Sequence, residues 1–174
     1  MRKVIILFLL FQFWNGYGQD VNNVFRQGKL SNGLTYYVRH TKSPANRADF
    51  YLVQNVGALM EDEHQNGLAH FLEHMAFNGS ESFKEGIPRF LNRRGVKQFN
   101  AMTGQDETIY YISSVPTMDK GLVDSCLLVL KDWSGFLLLE PEEIDKERGV
   151  ILEERRSRRD ANTRIREQTC LLYT

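Results

Sequence analysis

The segment Gly67 to Phe77, GLAHFLEHMAF, admits one regular conformation far more readily than any other. No proline interrupts it, Asn78-Gly79 supplies a C-terminal stop, and its apolar residues recur at helical spacing. At about 100° per residue, His70, Glu73 and His74 share an arc roughly 100° wide. Leu68, Phe71, Leu72 and Met75 take the opposite side. The expected helix has an apolar face for a core and a second face with two imidazoles and a carboxylate. Histidines at i and i+4 can aim neutral ring nitrogens at one Zn2+ about 2.0–2.1 Å from each. Glu73 falls between them in projection, where a carboxylate can act as a general base toward water.

A catalytic zinc needs a third protein ligand and an open position. The last helical stretch, Pro141 to about Arg159, offers Glu147, Glu153 and Glu154. Glu147 and Glu154 are two turns apart and project within about 20° of each other, flanked by Ile144, Val150 and Ile151. Carboxylates on an otherwise apolar face are costly unless paired or metal-bound. Glu153 points away from that stripe and is expected in solvent. Spacing alone leaves Glu147 and Glu154 as candidates.

The rest of the chain supplies a scaffold of alternating pairs. Ser31-Asn32-Gly33 is a turn signal, followed by a strand over Leu34 to Arg39 and another over Asp49 to Val56. After the metal-site helix comes a shorter one, Ile87 to Arg94, with Pro88 in its first turn and Gly95 ending it. Strands are expected over Val96 to Met102 and Thr108 to Val115, joined through Gly104-Gln105-Asp106. Helices are expected over Met118 to Trp133 and from Pro141, where Glu142 and Glu143 complement the helix dipole. The order ββααββαα predicts an α+β fold, helices packed on a mostly antiparallel sheet.

Composition narrows the function classes. Lys and Arg number 22 against 22 Asp and Glu, a balance that argues against a nucleic-acid partner. Cys126 and Cys170 are too few for a disulfide framework, and Cys126 lies in an apolar stretch where a core thiol is expected. His40 and His64 lie in turn-like or polar segments and read as surface histidines. The arginines from Arg155 to Arg166 are interleaved with acids and read as a solvated continuation of the last helix.

At the N-terminus, Met1-Arg2-Lys3 precedes an apolar run from Val4 to Trp14, then small and polar residues. That order is expected of a secretory signal peptide over residues 1–19, with the mature domain from residue 20 to 174. The apolar run is too short for a permanent membrane span, which takes about 20 residues. Export would place the chain in the periplasm foremost, with full secretion as the other destination.

The inverted order H-x-x-E-H with a distant downstream Glu resembles the pitrilysin and insulin-degrading-enzyme family of zinc metallopeptidases. Leu30-Ser31-Asn32-Gly33-Leu34 is similar to that family's first hairpin, and Gly67-Leu68-Ala69 to its approach to the motif. Phe99 to Thr103, followed by Asp106-Glu107-Thr108, resembles its N-A-x-T segment, and Glu147 to Glu154 the segment holding its third ligand. The resemblance implies His70, His74 and Glu154 as ligands of one Zn2+, Glu73 as general base and Glu147 as a supporting carboxylate. It implies Asn100 and Ala101 in a strand whose edge pairs with substrate backbone. It further implies a metalloendopeptidase acting on peptides or small unfolded proteins. The chain would be the N-terminal portion of such an enzyme, with a second homologous domain or chain completing the site. Activity is then expected of the completed assembly. A non-catalytic zinc-binding subunit or peptide-binding scaffold is the alternative, against which an intact Glu73 argues.

Overall fold

The structure, a computed structural model, describes residues 25–157. The expected leader over residues 1–19, Cys170 and the arginines from Arg158 onward lie outside the described residues. The chain divides into two units, residues 1–45 and 46–174.

The described part of the first unit is an antiparallel hairpin of β1 (Phe25–Lys29) and β2 (Thr35–Arg39). Its turn is the expected one: Gly33 has φ +92°, a left-handed conformation open to glycine, and Asn32 Oδ1 accepts from the Leu34 amide. The hairpin is the one the family resemblance implies, while the pattern of FRQGK, which shows no alternation, does not by itself mark β1. Gly28 lies directly opposite Tyr36 in this pairing, and the exposed tyrosine ring folds over it into the space a Cβ would take.

In the second unit, β3 (Arg47–Gln54), β4 (Gln98–Thr103) and β5 (Thr108–Pro116) form an antiparallel sheet in the order β3-β5-β4. Alternation puts Phe50 and Leu52 of β3, Ala101 of β4, and Tyr110 and Ile112 of β5 toward the core. Among the described residues four helices accompany the sheet: α1 (Leu68–Met75), α2 (Ile87–Arg93), α3 (Lys120–Trp133) and α4 (Pro141–Ser157). The α+β architecture with an antiparallel sheet is the one expected.

The core lies between the sheet and α2 and α3, through Ile87, Leu91, Leu122, Cys126, Val129 and Trp133. Trp133 stacks on Tyr110 at 5.4 Å and donates its indole N–H to the Ala76 carbonyl at 2.8 Å, tying α3 to the end of α1. Asp119 caps α3 by accepting from the Leu122 amide. Burial pushes the Cys126 thiol up to about 11, as befits an inert core cysteine.

The structure corrects the expected orientation of α1. Met75 is fully buried, but Leu68 and Leu72 are 46% and 37% exposed, and the residues turned inward are Ala69, Glu73 and Ala76. Small side chains at positions 69 and 76 face the same way as Glu73 and let α1 come close to β4. A stripe weighted by hydrophobicity alone misplaces this helix by part of a turn. The consequence is that Glu73 is buried against the sheet rather than displayed on a solvated face.

Candidate metal centre

Two helices build the site. α1 brings His70 and His74 to one side, one turn apart, with their rings edge-on at 4.6 Å. α4 packs against α1 and contributes Glu147 and Glu154. His70 Nε2 and His74 Nε2 lie 3.1 Å apart, and Glu154 Oε2 lies 3.5 Å from the first and 3.3 Å from the second. Two imidazoles and a carboxylate thus converge on one point, each half-buried.

These separations permit a test against a metal. Ligand atoms about 2.0–2.1 Å from a tetrahedral zinc stand about 3.3–3.4 Å from one another. The observed edges of 3.1, 3.3 and 3.5 Å bracket that value. The chemistry agrees, since two imine nitrogens and a carboxylate oxygen aimed at one another repel unless a cation or proton lies between them. The donor set fits a divalent ion of zinc's size and preferences.

Glu147 acts one step removed. His74 Nδ1–H donates to Glu147 Oε1 at 2.6 Å, which fixes the tautomer that leaves Nε2 with its lone pair toward the cluster. Of the two carboxylates that spacing left open, Glu154 joins the donor cluster and Glu147 backs a histidine. Glu153 is exposed and ion-paired to Arg156, as expected of a solvated side chain.

Glu73 shares α1 with both histidines yet stands outside the donor triangle. Its Oε2 accepts a hydrogen bond from Thr103 Oγ1 at 2.7 Å. Tyr110 lies in the same surroundings: burial, and then the charge of Glu73, push its phenol up to about 12, so it stays neutral. Thr103 lies in the N-A-x-T segment, which by itself gives this residue no role. The signal was its inward position on β4, in phase with Ala101.

Asn100 and Ala101 occupy β4, which among the described residues pairs only with β5 and so presents a free edge. Ala101 is buried toward the helices, and Asn100 is exposed on the other face. His40 and His64 are exposed and take no part in the cluster. No helix among the described residues is long and apolar enough to cross a membrane.

Comparison with known proteins places this arrangement in a family. Residues 36–170 match the family described as insulinase, peptidase family M16. A zinc protease PQQL-like protein of Arabidopsis thaliana is 38% identical over 144 residues, which cover 80% of this chain and 15% of the relative. The probable zinc protease PqqL of Escherichia coli is 36% identical over 141 residues, 79% of this chain and again 15% of the relative. The crystal structure of the first half of that periplasmic protease superposes with a TM-score of 0.75 at 33% identity. That alignment covers 83% of this chain and 31% of the half-protein, so the fold seen here corresponds to part of a larger one. With a family match that spans residues 36–170 and relatives more than 30% identical over about four-fifths of its length, the chain belongs to the insulinase family of peptidases, family M16.

Proposed function

We propose that this chain is the metal-site portion of a zinc-dependent endopeptidase that hydrolyses peptides or small unfolded proteins. The observation that carries the reading is the convergence of His70, His74 and Glu154 at 3.1–3.5 Å, beside a buried carboxylate on the same helix. His70, His74 and Glu154 would hold one Zn2+, and Glu147 would keep His74 in its ligating tautomer. Zinc, when bound, supplies Lewis acidity that acidifies water and polarises a carbonyl. Glu73 takes the proton from the attacking water and returns it to the leaving amine. Thr103 engages Oε2, which leaves Oε1 for that proton and holds the carboxylate in one orientation.

The free edge of β4 at Asn100 and Ala101 would receive substrate backbone as an added strand. A second homologous domain or chain would complete the site, in keeping with the 15% of its relatives' length that this chain spans. Export to the periplasm, or full secretion, is supported by the leader-like N-terminus and by the periplasmic protease that the fold resembles. A zinc-binding scaffold without catalysis is the alternative; a base held in place by Thr103 favours the enzyme.

The experiment is metal analysis and peptide cleavage on the complete assembly, wild type beside two variants. Glu73→Gln is expected to keep one zinc per chain and to lose hydrolysis by several orders of magnitude. His74→Ala is expected to lose the metal as well. Turnover preserved in Glu73→Gln would sink the assignment of the base, and a wild type that takes up no zinc would sink the whole reading.

A further inference from the structure

We propose that Glu61 is a positioning residue for the metal-binding helix, its carboxylate serving as the N-terminal cap that α1 lacks and setting where His70, Glu73 and His74 stand. The proposal rests on the reading above in that the groups being positioned are the metal ligands and the base.

α1 begins after Gly67, which has φ +91° and no side chain with which to cap the helix. Leu68 N–H donates to the Gln65 carbonyl at 2.8 Å, and the amides on either side of it are served by Glu61. Gly67 N–H donates to Glu61 Oε2 and Ala69 N–H to Glu61 Oε1, each at 2.6 Å. Both oxygens are committed, and a carboxylate at a helix N-terminus also meets the positive end of the dipole. Ala69 immediately precedes His70, so the capped turn is the one from which the first ligand projects.

The segment that leads into Glu61 is itself fastened to the turn between β4 and β5. The 3₁₀ turn Ala58–Met60 precedes Glu61, with Ala58 N–H donating to the Gly104 carbonyl at 3.2 Å and Leu59 N–H to the Gln105 carbonyl at 2.8 Å. The approach is close enough to require glycine at 57, where a Cβ would stand 2.6 Å from the Gln105 backbone. Gly104 and Gln105 follow directly on Thr103, the residue that donates to Glu73. The end of β4 and the turn after it therefore grip α1 twice, at its N-terminus through Glu61 and in its second half through Thr103. α1 is only eight residues long, and of its larger apolar side chains Met75 is buried while Leu68 and Leu72 are exposed, so apolar packing holds mainly its C-terminal end. The polar grip at both points is what keeps the two imidazoles in register with Glu154 on a different helix.

The test measures zinc affinity by competition with a chromophoric chelator, and the imidazole nitrogen resonances of His70 and His74 in the metal-free chain. The variants are Glu61→Ala and Glu61→Gln, with Asp119→Ala, which removes the cap of α3, as a control. At a temperature where all are folded, Glu61→Ala is expected to bind zinc about tenfold more weakly than wild type and to shift both imidazole signals. Glu61→Gln, whose single carbonyl oxygen serves one amide well, should fall between. Asp119→Ala should melt earlier yet leave affinity and imidazole signals unchanged. Wild-type affinity with unshifted signals in Glu61→Ala overturns the proposal, as does an equal loss in Asp119→Ala. A wild type that takes no zinc defeats the functional reading, and the imidazole signals still decide the role of Glu61.

Discussion

Helices α3 and α4 differ in what holds them in place. α3 puts Leu122, Cys126, Val129 and Trp133 into the core, each 2% exposed or less. α4 is longer, yet none of its residues is buried, and Val150 and Leu152 are more than half exposed. Its polar hold on α1 runs through Glu147 to His74, and Glu154 would add to it through a cation shared with both histidines. One helix is fixed by removal of apolar surface from water, the other by groups that would also bind a metal. Folding and site assembly are therefore separable here, and damage to one need not appear as damage to the other.

The largest expected effect comes from breaking the α3 side. Trp133→Ala removes a buried indole, its stacking on Tyr110 and its hydrogen bond to Ala76, at a cost of about 3–5 kcal/mol. Chemical denaturation should show this as a lower midpoint with zinc present or absent. A loss under about 1 kcal/mol would mean that α3 is not the anchor.

On the α4 side the signature should invert. Glu147→Ala leaves the metal-free denaturation midpoint near that of wild type, because its removal opens no cavity in the core. Zinc binding should weaken about 10- to 100-fold, the usual effect of removing a carboxylate behind a ligating histidine. Hydrogen exchange sharpens the contrast: zinc should slow exchange across Pro141–Ser157 far more than across Lys120–Trp133. Equal protection of both helices would erase the distinction.

The same division governs what could be read from the sequence. The H-x-x-E-H helix, the turn at Asn32-Gly33 and the start of α4 at Pro141 are local, and spacing with cap chemistry suffices to find them. Glu147 and Glu154 were separable from Glu153 by angle, but which of the two would meet the histidines and which would back one of them depends on how α4 lies against α1. The rotation of α1 was misjudged because Ala69 and Ala76 carry little hydrophobic weight, although their smallness is what lets the helix approach β4. The order β3-β5-β4 joins segments more than fifty residues apart, which no local pattern encodes. Glu61 and Thr103 escaped for a like reason, since their partners on α1 are fixed only once the helix docks.

The smallest effect tests the cap of α3 and has a sign that can be worked out beforehand. The Arg94 guanidinium and then the Leu122 amide hold the Asp119 carboxyl below its ordinary value of 3.8. A carboxyl lowered on folding contributes stability above its unfolded value, and that contribution fades as pH falls through the folded one. Wild type should therefore melt above Asp119→Ala at pH 7, with the gap closing progressively below about pH 4. Asp119 is exposed at the start of a helix that buries only one face, so solvent screening keeps the gap small. A gap that persists unchanged to pH 2 would mean that the cap works without its charge, leaving hydrogen-bond geometry alone to start the helix that anchors the core.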